Sequence, residues 1–125
     1  MSSKTILVVE DNALNMKLVR SLLQLGKYFV LEAVDAEEGI KIAREKRPDA
    51  ILMDIQLPGM DGLSATRILK SDPLLKHIIV IALTSYAMDE DYKKASEAGC
   101  DGYIAKPIDT HSFLKTLEQY LNSTH

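Results

Sequence analysis

Five residues whose side chains could do chemistry stand where short apolar runs of the sequence end. They are Glu10 and Asp11 after the first run, Asp54 after the second, Thr84 after the third and Lys106 after a weaker one. Three carboxylates, a hydroxyl and an ammonium group can together hold a divalent cation and the oxygens of a phosphoryl group. A carboxylate can also accept that group itself and become an acyl phosphate. The residue types therefore indicate phosphoryl chemistry.

The three carboxylates would repel one another in a shared pocket, so protons or a cation would have to relieve the repulsion. Mg²⁺ is the favoured cation, because it takes few protein ligands and keeps water molecules for substrate oxygens. Each residue alone also has a simpler explanation. Asp11 or Asn12 could cap a helix, and Lys106 could be a solvated surface charge. The prediction depends on the residues coming together.

The apolar runs predict strands that are buried on both faces, because they are continuous and rich in branched residues. The strong runs cover 6–9, 50–53 and 78–83, and weaker candidates cover 28–34 and 101–105. Helical patterns alternate with the strands over 12–25, 35–47, 62–70, 89–98 and 109–121. The alternation predicts a single α/β domain with a doubly wound parallel sheet and helices on both faces.

A parallel sheet presents the carboxyl ends of all its strands at one edge, and ligands of such folds bind there. The five reactive residues are therefore expected to converge although they are far apart in sequence. Periodicity alone leaves the strand order open between the flavodoxin-like order 2-1-3-4-5 and a Rossmann-like order.

The first and last helices have clear apolar stripes. For the first helix the predicted buried residues are Leu18, Val19, Leu22 and Leu25, with Gly26 as the stop. Leu14, Met16 and Leu23 fall outside this stripe, and Leu14 and Met16 are candidates for an exposed contact surface. For the last helix the predicted buried residues are Phe113, Leu114, Leu117 and Leu121.

Bulk properties narrow the function classes. The chain has 125 residues, 46% hydrophobic and 26% charged, with a formal net charge of -3 and one cysteine. Negative net charge argues against nucleic acid as a direct partner. No apolar run is long enough to span a bilayer and no signal peptide is visible, so a cytoplasmic location with no membrane partner is expected. His77, His111 and His125 show no metal-ligand spacing.

Several motifs resemble the receiver domain of two-component response regulators. Val-Val-Glu-Asp-Asn at 8–12 resembles the family's first acidic pair. Leu-Met-Asp-Ile-Gln-Leu-Pro-Gly-Met-Asp-Gly at 52–62 is similar to its phosphoacceptor strand and loop. Leu-Thr-Ser at 83–85 resembles the switch-hydroxyl segment, and Lys-Pro at 106–107 the family's lysine and proline. The resemblance covers nearly the whole chain and implies the flavodoxin-like order 2-1-3-4-5 with five helices.

The resemblance implies that Asp54 accepts a phosphoryl group from a histidine kinase or a histidine phosphotransfer protein. It implies Mg²⁺ held directly by Asp11, Asp54 and the backbone carbonyl of Gln56. Glu10, in place of the commoner aspartate, would act largely through water and alter the metal geometry. Leu14 and Met16 would then be candidates for docking the helices of the phosphodonor.

Further residues have roles that the resemblance implies. Thr84 would bind a phosphoryl oxygen and Lys106 would pair with the phosphate. Tyr103 occupies the position of an aromatic residue that turns inward when Thr84 moves, which would carry the signal to a downstream protein partner. A cis bond is expected between Lys106 and Pro107.

The expected function is therefore a single-domain phosphoacceptor, not an enzyme, whose core covers about 4–121 and which has no effector domain. Its segments 11–18 and 84–88 resemble the DivK-type cell-cycle regulators of the family. The alternatives are a receiver fragment of a hybrid kinase or larger regulator, and a Mg²⁺-dependent phosphohydrolase with an aspartyl-phosphate intermediate. Such hydrolases need a second aspartate two residues after the nucleophile, where this chain has Gln56. A nucleotide or flavin module is disfavoured because no glycine-rich loop follows the first strand.

Overall fold

The computed structural model describes residues 4–85 and 89–123, which form five strands and five helices in alternation. The elements are β1 Thr5–Val9, α1 Ala13–Leu25, β2 Phe29–Ala33, α2 Ala36–Lys46, β3 Ala50–Asp54, α3 Gly62–Ser71, β4 Ile79–Thr84, α4 Asp89–Ala98, β5 Gly102–Ala105 and α5 Phe113–Ser123. Among the described residues, none of the helices has the length and apolar character needed to cross a membrane.

The five strands form one parallel sheet in the order β2-β1-β3-β4-β5. The predicted flavodoxin-like order is confirmed. In this register Val9 lies beside Met53, and Asp54 lies beside Leu83. The carboxyl ends of β1, β3 and β4 therefore meet at one edge of the sheet, where a ligand can reach residues from several strands.

Two hydrophobic cores lie on the two faces of the sheet. Alternate residues of β1 point to opposite faces, so Ile6 and Val8 pack with α1 and α5, while Leu7 and Val9 pack with α2 and α3. All four side chains are fully buried. Burial on both faces explains why β1 reads as a continuous apolar run and makes the sheet a rigid support for its carboxyl edge.

Side-chain caps begin the first three helices. Oδ1 of Asn12, Asp35 and Asp61 accepts the backbone N–H of the residue three positions on, at 3.0, 2.8 and 2.8 Å. Each cap satisfies a backbone donor that the first helical turn leaves unpaired. Because Asn12 caps α1, the carboxylate of its neighbour Asp11 is not used for this purpose.

The predicted buried stripe of α1 is partly wrong. Met16, Val19, Leu22 and Leu23 are buried, whereas Leu25 is 74% exposed. The apolar arc of this helix is wider than its contact with the sheet, so periodicity placed the buried face about one residue too far round. Met16 is a core residue and cannot contact a partner, which contradicts its predicted role in docking.

The start of α5 also differs from the prediction, which placed it at Asp109. The helix begins at Phe113, and residues 110–112 form a turn in which Oδ1 of Asp109 accepts the N–H of His111 at 2.9 Å. An aspartate that binds a backbone amide two residues on stabilises a turn instead of starting a helix directly. Of the predicted stripe, Phe113, Leu117 and Leu121 are buried, and Leu114 is partly buried against the same core.

Candidate phosphoryl and metal site

Two carboxylates and one ammonium group meet at the carboxyl edge of the sheet. Glu10 follows β1 and is 1% exposed, and Asp54 ends β3 and is 4% exposed. Lys106, the residue after β5, donates from Nζ to Glu10 Oε1 at 2.6 Å and to Asp54 Oδ2 at 2.9 Å. Residues that are 96 and 52 positions apart in sequence are thus brought into direct contact.

Asp11 completes an acidic cluster with Glu10 and Asp54. One carboxylate oxygen from each of the three residues can be chosen so that all lie within 4.8 Å of one another. Asp11 is exposed, whereas the other two are buried, so the cluster opens to solvent on the Asp11 side. With all groups ionised, three carboxylates and the Lys106 ammonium leave two negative charges, which a divalent cation can neutralise. Oxygen-only donors of this kind suit a hard cation such as Mg²⁺.

The remaining oxygens of the buried acids are bound by backbone amides. Gln56 donates its N–H to Asp54 Oδ1 at 2.9 Å, and Asn12 donates its N–H to Glu10 Oε2 at 3.3 Å. These bonds fix the orientation of both carboxylates. Each carboxylate oxygen has two acceptor positions, so each oxygen of Asp54 can accept one bond and still contact another group.

The loop after Asp54 is held close to β3 by Gly62. A Cβ atom on Gly62 would lie 2.3 Å from the carbonyl oxygen of Asp54 and 2.8 Å from Cα of Ile55. Only glycine leaves room for α3 to begin this near to β3. The N–H of Gly62 donates to the carbonyl of Ile55 at 3.3 Å, which closes the loop behind the carboxylate.

Thr84 and Tyr103, the two residues of the predicted switch, lie on the neighbouring strands β4 and β5. Thr84 ends β4 and is 2% exposed, and its Cα partner on β5 is Ala105, next to Lys106. The side chain of Tyr103 is 38% exposed and stacks on Tyr92 of α4, with ring centroids 4.0 Å apart and an interplanar angle of 13°. Tyr103 is therefore on the outer side of β5 and in contact with α4.

The electrostatics of the site follow from its burial. Burial raises the pKa of Glu10, and Asp54 raises that pKa further, while Lys106 opposes the change. For Lys106, burial alone would lower the pKa, but the hydrogen bonds and negative charges of Glu10 and Asp54 outweigh it and raise the pKa. Lys106 is therefore fully charged at neutral pH.

The direct bond between Glu10 and Lys106 was not predicted from the sequence. The extra methylene of glutamate, relative to aspartate, is the signal that could have indicated the longer reach. The expected cis peptide bond between Lys106 and Pro107 is present. Tyr86 and Met88, part of the second DivK-type stretch, lie outside the described residues.

Comparison with known proteins decides the family. The model of the response regulator receiver domain family matches residues 6–118, most of the chain. The chain belongs to this family. The resemblance inferred from the motifs is confirmed, and this receiver domain is a component of two-component signalling.

A curated relative supports the DivK-type resemblance. The polar-differentiation response regulator DivK of Brucella anthropi is 47% identical to this receiver domain over 118 residues, which cover 94% of this chain and 96% of the relative. Because both chains are covered almost completely, the similarity extends over the whole fold.

Two solved structures of the same fold contain a metal ion or a partner protein. The receiver domain of a Pseudomonas aeruginosa sensor histidine kinase, with a magnesium ion coordinated in its active-site cleft, superposes with a TM-score of 0.89 at 34% identity, covering 98% of this chain and all of that one. The receiver domain of Saccharomyces cerevisiae Ssk1, crystallised with the histidine phosphotransfer protein Ypd1, superposes with a TM-score of 0.88 at 27% identity, covering 94% and 88%.

Proposed function

We propose that this receiver domain accepts a phosphoryl group on Asp54 in a Mg²⁺-dependent reaction and signals through altered contacts with a downstream protein. The observation that carries the proposal is the position of Lys106, whose Nζ contacts both Asp54 and Glu10 inside the acidic cluster. This arrangement supplies an acceptor oxygen, a fixed cation and a place for a divalent ion within a few ångströms.

The proposed reaction is an in-line transfer. An oxygen of Asp54 attacks the phosphorus, the new O–P bond forms, and the P–N bond to the histidine of the donor breaks, leaving its electron pair on the imidazole nitrogen. Lys106 neutralises the phosphoryl oxygens, and the hydroxyl of Thr84 donates to one of them. Lys106 would exchange part of its contact with Glu10 for the new phosphate.

Mg²⁺ would be held by Asp11, Asp54 and the backbone carbonyl of Gln56, with Glu10 supporting it. The ion supplies charge neutralisation between the carboxylate and the incoming phosphoryl oxygens. Two observations support this choice: the oxygen-only donor set with its excess negative charge, and the magnesium ion in the cleft of the related Pseudomonas receiver domain.

Mass spectrometry after incubation with Mg²⁺ and acetyl phosphate tests the phosphoacceptor. We expect one phosphoryl group on the wild type, stable in acid and lost in base, and none on Asp54→Asn. Asp72→Asn is the control, since Asp72 is the C-cap of α3 at the amino edge of the sheet, away from the acidic cluster, and the Asn side chain can still accept the N–H of Leu74. Modification of Asp54→Asn at the wild-type rate would overturn the proposal.

The phosphodonor is proposed to be a histidine kinase or a histidine phosphotransfer protein that docks on the start of α1. Leu14 lies in the first turn of α1, three residues after Asp11, and is 78% exposed. An exposed leucine beside the acidic cluster fits an apolar contact with the helices of a donor. The yeast complex of a receiver domain with a phosphotransfer protein supports this class of partner.

Leu14→Asp separates docking from chemistry. We expect transfer from a cognate phosphotransfer protein to slow by about tenfold or more, while modification by acetyl phosphate is unchanged, because the small donor needs no docking surface. Leu25→Asp is the matched control, since Leu25 is 74% exposed at the other end of the same helix. Equal effects of the two substitutions would argue against docking at Leu14.

A further inference from the structure

A tyrosine of α5 is bonded to the backbone of β5. The N–H of Tyr103 donates to the hydroxyl oxygen of Tyr120 at 3.4 Å, and the Tyr120 hydroxyl donates to the carbonyl oxygen of Tyr103 at 3.1 Å. β5 is the last strand of the sheet, so its outward peptide groups face no neighbouring strand in the part of the chain that the structure describes. The hydroxyl of Tyr120 bonds both the N–H and the carbonyl of Tyr103, the two groups that a neighbouring strand would otherwise bond.

Gly102 makes this contact possible. A Cβ atom at Gly102 would lie 2.4 Å from the ring of Tyr120, so the absence of a side chain lets the ring lie directly against β5. The ring also packs on the core formed with α1 and α5. The glycine and the tyrosine are 18 residues apart in sequence, yet the missing side chain of Gly102 leaves the space that the Tyr120 ring fills. This complementarity indicates a specific contact.

The contact lies on a short path from the acidic cluster to α5. Lys106 directly follows β5, and its N–H donates to the carbonyl of Thr84 at 2.7 Å. β5 has only four residues and, among the described strands, pairs with β4 alone. A displacement at Lys106 therefore reaches Tyr103 within three residues. From Tyr103 the two bonds to Tyr120 lead directly into α5.

We propose that Tyr120 is a positioning residue that ties β5 to α5 and transmits to α5 the change caused by phosphorylation at Asp54. The inference rests on the proposed function for its trigger, and on the bonds of Tyr120 for its route. Coupling of this kind needs a continuous set of contacts between the two places, and the bonds of Tyr120 supply the last of them. The side chain of Tyr103 is not needed for this route, because its backbone makes the contact.

Tyr120→Phe is the decisive variant, because it keeps the ring and removes only the hydroxyl. In the unphosphorylated protein we expect hydrogen exchange at the Tyr103 amide to become about fivefold faster, the effect of losing one hydrogen bond. After addition of Mg²⁺ and acetyl phosphate, phosphorylation should proceed at the wild-type rate. The NMR shift changes of α5 amides such as Leu117 and Leu121 should fall by about half or more.

Tyr28→Phe is the matched control. Tyr28 is a half-buried tyrosine packed on the same core but has no contact with β5 among the described hydrogen bonds, so both readouts should stay as in the wild type. If the NMR shift changes of α5 on phosphorylation are as large in Tyr120→Phe as in the wild type, the proposed coupling is wrong. If hydrogen exchange at the Tyr103 amide is unchanged in this variant, the Tyr120 hydroxyl does not hold β5. If the wild type takes up no phosphoryl group, the proposed function fails, and the exchange measurement still decides whether Tyr120 holds β5.

Discussion

Glu10 differs from a simple metal-binding carboxylate because it also bonds Lys106. Its side chain is long enough to bond Lys106 directly, so one ammonium group is shared between two carboxylates. The charge of Glu10 therefore orients Lys106, and in the proposed function it also supports the cation site. Truncating one member of a buried charged set leaves the others uncompensated.

Glu10→Gln tests this double role. We expect the affinity for Mg²⁺, measured by isothermal titration calorimetry, to fall about tenfold, because the neutral amide removes negative charge from the cation site. Glu32→Gln is the control, since Glu32 is an exposed residue of β2 paired with Arg20. Equal affinities in wild type and Glu10→Gln would show that Glu10 does not act on the metal.

Cys100 is a packing residue by its environment. Burial raises the pKa of its thiol, which donates to the hydroxyl of Thr66 at a sulfur–oxygen distance of 3.9 Å. A thiol that stays protonated is a poor nucleophile. At pH 8 we expect iodoacetamide to modify Cys100 about tenfold more slowly in the folded protein than in urea. Equal rates in the two states would contradict this.

The same pKa shift has a consequence for stability. The unfolded thiol loses its proton at lower pH than the folded one, so the free energy of unfolding falls as pH rises above the ordinary thiol pKa. Urea unfolding between neutral and alkaline pH should show this slope in the wild type. The slope should be smaller in Cys100→Ala, which removes the titrating group, and an identical slope would reject the assignment.

At the scale of elements, Lys70 near the end of α3 is bonded to the segments that precede β4 and β5. Nζ of Lys70 donates to the carbonyls of Lys76 and Ile78 at 3.1 and 2.7 Å and to Asp101 Oδ2 at 2.8 Å. The same Asp101 oxygen accepts the N–H of Val80 at 2.9 Å. This cluster connects α3, β4 and the segment before β5 at the amino edge of the sheet.

Lys70→Met should lower the free energy of unfolding by about 1–3 kcal/mol, because it removes three hydrogen bonds and leaves Asp101, whose side chain is 27% exposed, without its cation. Arg20→Met removes an exposed ion pair of the same 2.8 Å length, with both side chains 37% exposed, and should cost under about 1 kcal/mol. Urea unfolding of both variants measures the difference, and similar losses would contradict the importance of burial.

Gly62, the first residue of α3, packs directly against the backbone of Asp54 in the acidic cluster. Gly62→Ala improves helix propensity, yet we expect it to destabilise the protein by about 1–3 kcal/mol, because the new methyl group meets backbone atoms of Asp54 and Ile55 that cannot move aside. Gly39→Ala is the comparison, since its methyl group would meet a side-chain methyl of Val9 at 2.8 Å and should cost less. Thermal unfolding of the two variants measures both losses of stability. A larger loss in Gly39→Ala than in Gly62→Ala would contradict this prediction.

For the whole molecule, the sequence was sufficient to predict the alternation of strands and helices and which residues end the strands. Strands buried on both faces produce continuous apolar runs, and the residue that ends each run is visible directly. The resemblance to receiver domains supplied the strand order. Contacts of long side chains, such as that of Glu10 with Lys106, depend on the angles between strands. The hydrophobic pattern of the sequence does not determine these angles.

The errors have a common physical origin. Leu25 and Met16 were misplaced because the apolar arc of α1 is wider than the surface it covers, and only packing selects the buried part. The start of α5 was misplaced because Asp109 can cap a helix or a turn with the same side chain. Both choices are made by tertiary contacts that are absent from a local pattern.

The Lys70 cluster and the acidic cluster lie at opposite ends of the strands, separated by the length of the sheet. A fluorophore or an immobilising linker attached at residues 73–77 would therefore sit far from the reactive edge and leave it facing solution. Attaching this receiver domain to a sensor surface through that loop would give an oriented layer with the acidic cluster facing solution. Binding of partner proteins and the proposed phosphorylation could then be followed on that layer.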